Sequence, residues 1–329
     1  MNRVKIGVTI EVPLREKLFS LKDRERLDGL GDVRWTPSTA KLAEPEMCDL
    51  LADCEIAVAS WSPVCLNAAI VAACPKLRLW EHVAGSVKHM FGPWLEGRDI
   101  TIASCAPSNG ENVAEYALGL LILGLKRALE NAAANRTGGN PKPPNARVLA
   151  WSTIGVVGAS RVGRHLIRFL KTFGSTVLVY DPHLSDDEAA GLGVRKMADL
   201  TELCATSHAV TLHAPSLPET AGMIGVQQLQ AMRDDAVLVN TARGALVDEA
   251  ALIAELSRGR LFAMLDVTEP EPAADDSPLR QLPNVMLTSH IAGMADWKMG
   301  RQAVDDVERF LRGKKPLMAV TPDMLGRLG

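Results

Sequence analysis

The sequence predicts an α/β protein built from two doubly wound parallel sheets with a cleft between the domains. Three observations predict it. The chain has 329 residues, more than one hydrophobic core usually serves, so two domains are expected. Short apolar, β-branched runs alternate with amphipathic ones, the order that gives parallel strands joined by crossover helices. The run Gly155-Val-Val-Gly-Ala-Ser-Arg-Val-Gly163 joins a strand to a helix through a glycine turn.

Taken in order, Val4–Val8, Ile56–Ala59 and Leu77–Trp80 read as buried strands, and segments near 46–53 and 64–73 as helices. A long helical pattern runs from about Asn112 to about Ala134. Gly138-Gly-Asn-Pro-Lys-Pro-Pro144 then reads as an exposed loop, since these residues break both helix and strand. A second α/β run starts near Arg147, with strands at 153–157, 176–180, 208–212, 236–240, 261–266 and 284–287. Six strands with helices between them match a Rossmann-like sheet. From about Ala295 the chain is expected to be helical and then to loop out.

Bulk properties exclude several classes. A net charge of −3 gives no basic field for nucleic acid. The six cysteines form no Cys-x-x-Cys pair and read as reduced thiols, so no metal site is expected. Met1-Asn-Arg-Val leads directly into a strand pattern, which argues against a signal peptide. The longest apolar run, Tyr116 to Leu125, is too short to span a bilayer. A cytoplasmic protein with no nucleic-acid or membrane partner is expected.

The glycine run points to a ligand. A tight turn feeding a helix N-terminus offers free backbone N–H groups and the positive end of the helix dipole to a pyrophosphate. The strand Thr176–Tyr180 ends in Asp181, placed to accept hydrogen bonds from an adenosine ribose. A dinucleotide is therefore expected, contacted at Gly158, Ser160, Arg161, Val162 and Asp181. Asp181 would repel a 2′-phosphate, and Pro182 and His183 bring no arginine beside it, so NAD is expected over NADP. The middle position of the Gly-x-Gly-x-x-Gly frame is Ser160.

Three further residues follow strand ends, the edge where ligands collect in open α/β sheets. Arg243, in Asn240-Thr-Ala-Arg-Gly244, can clamp a carboxylate by two parallel hydrogen bonds. His290, in Thr288-Ser-His-Ile-Ala-Gly293, can exchange protons near neutral pH. A carboxylate beside it fixes one tautomer and favours the protonated ring. Glu269 and Glu271 both stand in the acidic stretch after Asp266, and spacing alone does not choose between them.

Several blocks in order resemble the D-isomer-specific 2-hydroxyacid dehydrogenases: Asn112–Leu118, Gly155–Gly163, Val239–Asp248, Leu265–Pro272 and Leu282–Gly293. The first 50 residues match in pattern only. The resemblance implies NAD, a 2-keto or 2-hydroxy acid as substrate, and a homodimer built through the second domain. It implies Arg243 as carboxylate anchor, His290 as acid and base, and Glu271 as the partner of the histidine. It further implies cofactor contacts at His213, Ala214, Pro215, Thr220, Thr241, Ala242, Arg243, Asp266, His290 and Gly293, with Asp266 facing the nicotinamide. Substrate contacts would come from Trp61, Ala84, Gly85 and Arg243. Family members split the substrate domain between the termini. The implied division is therefore 1–105 plus 294–329 for the substrate domain and 106–293 for the NAD-binding domain.

Departures from the family pattern bear on the related activities. Ser289 stands where proline commonly precedes the histidine, and the loop Val83–His89 lacks the usual Asp-Asn pair. Formate dehydrogenases place glutamine where Glu271 stands. Phosphite dehydrogenases have lysine where Ala84 stands. An NAD-sensing corepressor of the same fold keeps all three catalytic residue types and is the alternative from a different class.

Overall fold

The computed structural model describes residues 3–327. The strands in chain order are β1 (Lys5–Val8), β2 (Asp32–Trp35), β3 (Ile56–Ala59), β4 (Leu79–His82), β5 (Thr101–Ser104), β6 (Thr153–Val157), β7 (Thr176–Tyr180), β8 (Arg195–Lys196), β9 (Ala209–Leu212), β10 (Val237–Asn240), β11 (Phe262–Leu265), β12 (Val285–Leu287) and β13 (Ala319–Val320). The helices are α1 (Val12–Leu18), α2 (Leu21–Leu30), α3 (Glu44–Leu51), α4 (Ala68–Ala73), α5 (Ala106–Leu125), α6 (Ala128–Arg136), α7 (Arg161–Thr172), α8 (Asp186–Leu192), α9 (Leu200–Thr206), α10 (Val226–Ala231), α11 (Glu249–Ser257) and α12 (Trp297–Leu311). The chain forms two compact units, one of residues up to Gly110 and from Gly293 onward, the other Glu111–Ala292.

In the first unit the strand order is β13-β5-β4-β3-β1-β2. The five strands β1 to β5 are parallel, and β13 pairs antiparallel with β5. Side chains alternate between the faces of this sheet. Ile6, Val8, Ile56 and Val58 join one core cluster, and Ala57 and Ala59 join the other, as a period of two requires when both faces are covered. The C-terminal stretch therefore does not simply loop out: after α12 it adds an edge strand.

In the second unit the order is β12-β11-β10-β9-β6-β7-β8, all parallel. Counted from β6, that is 3-2-1-4-5-6 with one more strand, a doubly wound dinucleotide-type sheet that reverses between β6 and β9. Val237 and Val239 face one cluster and Leu238 the other. The strand that the sequence did not show, β8, is an exposed Arg-Lys pair with no apolar pattern to announce it.

The single helix expected over 112–134 is two helices. α5 ends at Leu125 and α6 begins at Ala128. Arg127 between them is left-handed, with φ 56°. Its side chain explains the break: the guanidinium lies 3.6 Å from the centre of the Phe262 ring and donates to the carbonyl oxygens of Gly124 and Asp235. Lys126 and Arg127 suit a helix by propensity, and tertiary contacts override it.

Candidate active site

The residues that the sequence singles out in the second unit all follow strand ends at one edge of the sheet. Gly158, Ser160, Arg161 and Val162 form the β6–α7 turn, and Asp181 follows β7. His213, Ala214, Pro215 and Thr220 follow β9, and Thr241, Ala242 and Arg243 follow β10. Asp266 and Glu271 follow β11, and His290 follows β12. In the first unit Trp61 follows β3, and Ala84 and Gly85 follow β4. Gly293 falls in the first unit by the division above.

The β6–α7 turn fits a dinucleotide. Gly158 has φ +95°, and a Cβ there would lie 2.6 Å from the Ala214 nitrogen, so this turn tolerates glycine alone. Ser160 has φ −63°, which any residue adopts, so glycine is not needed there. Its hydroxyl caps α7 by accepting from the Gly163 N–H at 3.4 Å, as N-cap serines do. Asp181 accepts from the Ala159 N–H at 2.7 Å on one oxygen and from the His183 N–H at 2.8 Å on the other. An ionised carboxylate offers about four acceptor positions, so two remain for ribose hydroxyls. The Thr241 hydroxyl is buried and has no partner among the described residues, which leaves a polar atom for a ligand at the position the resemblance implies.

His213 lies under this turn. Its ring is buried, Nε2 is 2.9 Å from the Thr211 hydroxyl, and burial pushes its pKa down to about 3. It is a neutral packing group there, so a cofactor contact from this position would come from its backbone. The Thr220 hydroxyl donates to the Pro215 carbonyl at 2.7 Å and accepts from the Leu217 N–H at 2.9 Å, which fixes the loop after β9.

The turn after β10 is set by Asn240, which is 1% exposed. Its side-chain oxygen accepts from the Ala242 N–H at 3.0 Å and its Nδ2 donates to the Arg243 carbonyl at 2.8 Å. Sequence reasoning missed Asn240, although an asparagine at a strand end is a recognisable turn signal. Next to it, Gly244 packs directly on the backbone of Thr268 and Glu269, where a Cβ would overlap the Thr268 carbonyl. This brings the Arg243 turn beside the segment that carries Glu271. Arg243 Nη1 donates to the Ala242 carbonyl at 2.6 Å, which leaves guanidinium donors for an anion.

His290 Nδ1 lies 2.6 Å from Glu271 Oε1. The side chains are 46% and 38% exposed, so the pair meets solvent. The Glu269 backbone N–H donates to the Glu249 carboxylate at 3.2 Å. A pocket of about 650 Å³ is lined by Asp266, Glu271, Arg280, Thr288 and His290, among others. With Nδ1–H donating to the glutamate, Nε2 is the ring nitrogen left to hydrogen-bond elsewhere. Trp61 is partly buried against the first unit's cluster of Ile6, Val8, Phe19 and Met299.

Residues 118–292 match the family description "D-isomer specific 2-hydroxyacid dehydrogenase, NAD binding domain". The chain is 31% identical to the glyoxylate reductase of Korarchaeum cryptofilum over 330 residues, covering 98% of this chain and 97% of that one. It is 29% identical to the D-3-phosphoglycerate dehydrogenase of Methanocaldococcus jannaschii over 316 residues, covering 94% of this chain and 58% of the other. The chain spans about half the length of the D-3-phosphoglycerate dehydrogenases it matches. Among solved structures, the holo form of Rhodotorula graminis D-mandelate dehydrogenase superposes with a TM-score of 0.79 at 24% identity, covering 97% of this chain and 98% of that one. That likeness concerns the fold.

Proposed function

Because the chain belongs to the D-isomer specific 2-hydroxyacid dehydrogenase family and carries its NAD-binding domain, we propose that it moves a hydride between NAD(H) and a 2-keto or 2-hydroxy acid of D configuration. The observation that carries this reading is the 2.6 Å bond between His290 Nδ1 and Glu271 Oε1, on the sheet edge that also bears Arg243. Bound NADH supplies the hydride. Arg243 clamps the substrate carboxylate through two N–H donors. His290 Nε2 gives its proton to the carbonyl oxygen as charge develops there, and Glu271 stabilises the ring by accepting from Nδ1–H. In the oxidative direction Nε2 takes the proton from the hydroxyl.

The substrate contacts proposed from the first unit are Trp61, Ala84 and Gly85. Ala84 is buried and its N–H donates to the His82 carbonyl at 2.7 Å, and Gly85 follows it in the loop after β4. Asp181 supports NAD over NADP, since a carboxylate repels a 2′-phosphate.

A cytoplasmic homodimer completes the reading. Six free cysteines among the described residues suit a reducing compartment. On the second unit Trp151 is 86% exposed, and Val148 and Leu123 are also exposed. The Arg147 N–H donates to the Leu125 carbonyl, which sets the 148–151 segment beside the end of α5. Exposed apolar surface of this kind suits an interface between subunits.

The test is NADH oxidation, followed by absorbance, with glyoxylate, hydroxypyruvate, pyruvate and phenylpyruvate. Turnover of at least one, NADH preferred over NADPH, and a D-hydroxy acid product are expected. NADH binding without turnover of any of the four would remove the enzymatic reading and favour the NAD-sensing one.

A further inference from the structure

We propose that Thr288 and Tyr116 are positioning residues for His290, acting through the carboxylate of Asp266. The proposal deepens the oxidoreductase reading and rests on it for its kinetic consequence. His290 has φ 53°, a left-handed conformation that residues with side chains seldom adopt. Such a conformation persists at a functional position only when its surroundings hold it.

Here the hold is one residue. Asp266 is 1% exposed. Its carbonyl oxygen accepts from the His290 N–H at 2.8 Å. Its carboxylate accepts from the next two N–H groups, Ile291 at 2.9 Å and Ala292 at 2.8 Å. The amide of the strained residue and the two that follow are therefore all bound to Asp266. The carboxylate thus serves the histidine loop, whatever else it contacts.

A buried carboxylate needs its own support. The Thr288 hydroxyl donates to Asp266 Oδ1 at 2.5 Å. A hydroxyl has one proton to give, so the Thr288 oxygen is left as an acceptor. The Tyr116 hydroxyl, from α5, donates to it at 3.2 Å. The order is Tyr116 to Thr288 to Asp266 to the loop amides. The Thr288 hydroxyl and the loop amides all donate to this one carboxylate, so losing the hydroxyl leaves a buried oxygen short of a donor and the carboxylate free to turn, which loosens its grip on the loop. His290 then relaxes, and its imidazole drifts from Glu271.

The experiment compares the full chain with T288V, T288S and Y116F. Its readouts are keto-acid reduction, NADH affinity by fluorescence, and hydrogen–deuterium exchange in the 286–293 segment. T288V is expected to lower kcat by ~10-fold or more, since small misplacements of a reacting group cost up to ~10²-fold. NADH affinity stays within about 2-fold, and exchange at Ile291 and Ala292 speeds up. T288S restores both readouts because it restores the hydroxyl. Y116F shifts both in the same direction by a few-fold. Unchanged kcat, or lowered kcat with unchanged exchange, in T288V would overturn the proposal. If T288V does not fold, Y116F decides by the same criteria. If the wild type turns over no 2-keto acid, the oxidoreductase reading falls, and the exchange data alone decide whether the relay holds the His290 loop.

Discussion

Each unit places a glutamate and a histidine at the ends of its parallel strands, and the two pairs sit in opposite surroundings. In the first unit they are Glu81 and His82, at the end of β4. Glu81 is wholly buried, its Oε2 has no partner among the described residues, and its other oxygen meets only the weak Cys105 thiol donor, at 3.4 Å. Burial, with the charge of Asp306 nearby, pushes that carboxyl well above the usual range. Burial pushes His82 down to about 3, helped by His89. Burial disfavours the charged form of both. In the second unit Glu271 and His290 are bonded to each other at 2.6 Å and open to solvent. The same residue types become sealed packing groups in one sheet and a bonded, solvent-exposed pair in the other. What separates them is access to solvent and a hydrogen-bonded partner, which residue identity alone does not reveal.

The largest effect that would test this contrast is on rate. His290→Gln should reduce keto-acid turnover by ~10²–10⁴-fold, the usual worth of a general acid. Glu81→Gln should leave it within about 3-fold of wild type. Comparable losses from the two substitutions, measured as kcat/KM, would break the comparison.

The next effect is on stability. His82 and His213 are both pushed down to about 3 by burial, whereas an unfolded histidine titrates near ~6.5. A depressed folded value means that their stabilisation is present above ~6.5 and is lost as pH falls toward 3. At about 1.4 kcal/mol per pH unit, each costs its unit ~2 kcal/mol between pH 6.5 and 5. Glu81 acts in the opposite sense. Its folded value is raised, so its unfavourable contribution shrinks as pH falls toward the unfolded carboxylate range. The first unit therefore has a counterweight that His213, shifted by burial alone, lacks. Hydrogen exchange at pH 7 and 5 should show the second unit losing more protection. Glu81→Gln should remove the first unit's advantage, and equal losses in wild type would contradict the argument.

The smallest effect separates neighbours. Glu269→Gln should change turnover by less than about 2-fold and Glu271→Gln by ~10-fold or more, since only Glu271 bonds the histidine. The reverse ranking would reassign the acid.

Much of the second unit was legible because its strands are continuous apolar runs between turn residues. The expected strands at 153–157 and 176–180 have the observed bounds. Strands with little apolar content escaped: β2, which carries Asp32 and Arg34, and β8, an Arg-Lys pair. The break at Arg127 was hidden because its cause is an aromatic ring far along the chain. The candidate site was legible where type and position coincide, as for Arg243 and His290. It was not legible where the arrangement depends on contacts between distant segments. Tyr116, Thr288 and Asp266 have no sequence pattern in common, and only folding brings them together.

The edge strand β13 and helix α12 have a consequence for synthesis. Met299, Ala303, Val304 and Val307 of α12 pack with Ile6 and Val8 of β1, and β13 closes the edge of β5. A chain emerging from the ribosome completes all seven strands of the second unit before any of these residues exists. The first unit, though translated earlier, must wait with an open apolar face and an unpaired strand edge. At ~5–20 residues per second that wait lasts ~10–40 s after β5 appears, long enough for a chaperone to find it. The half of the molecule made first is the half that matures last.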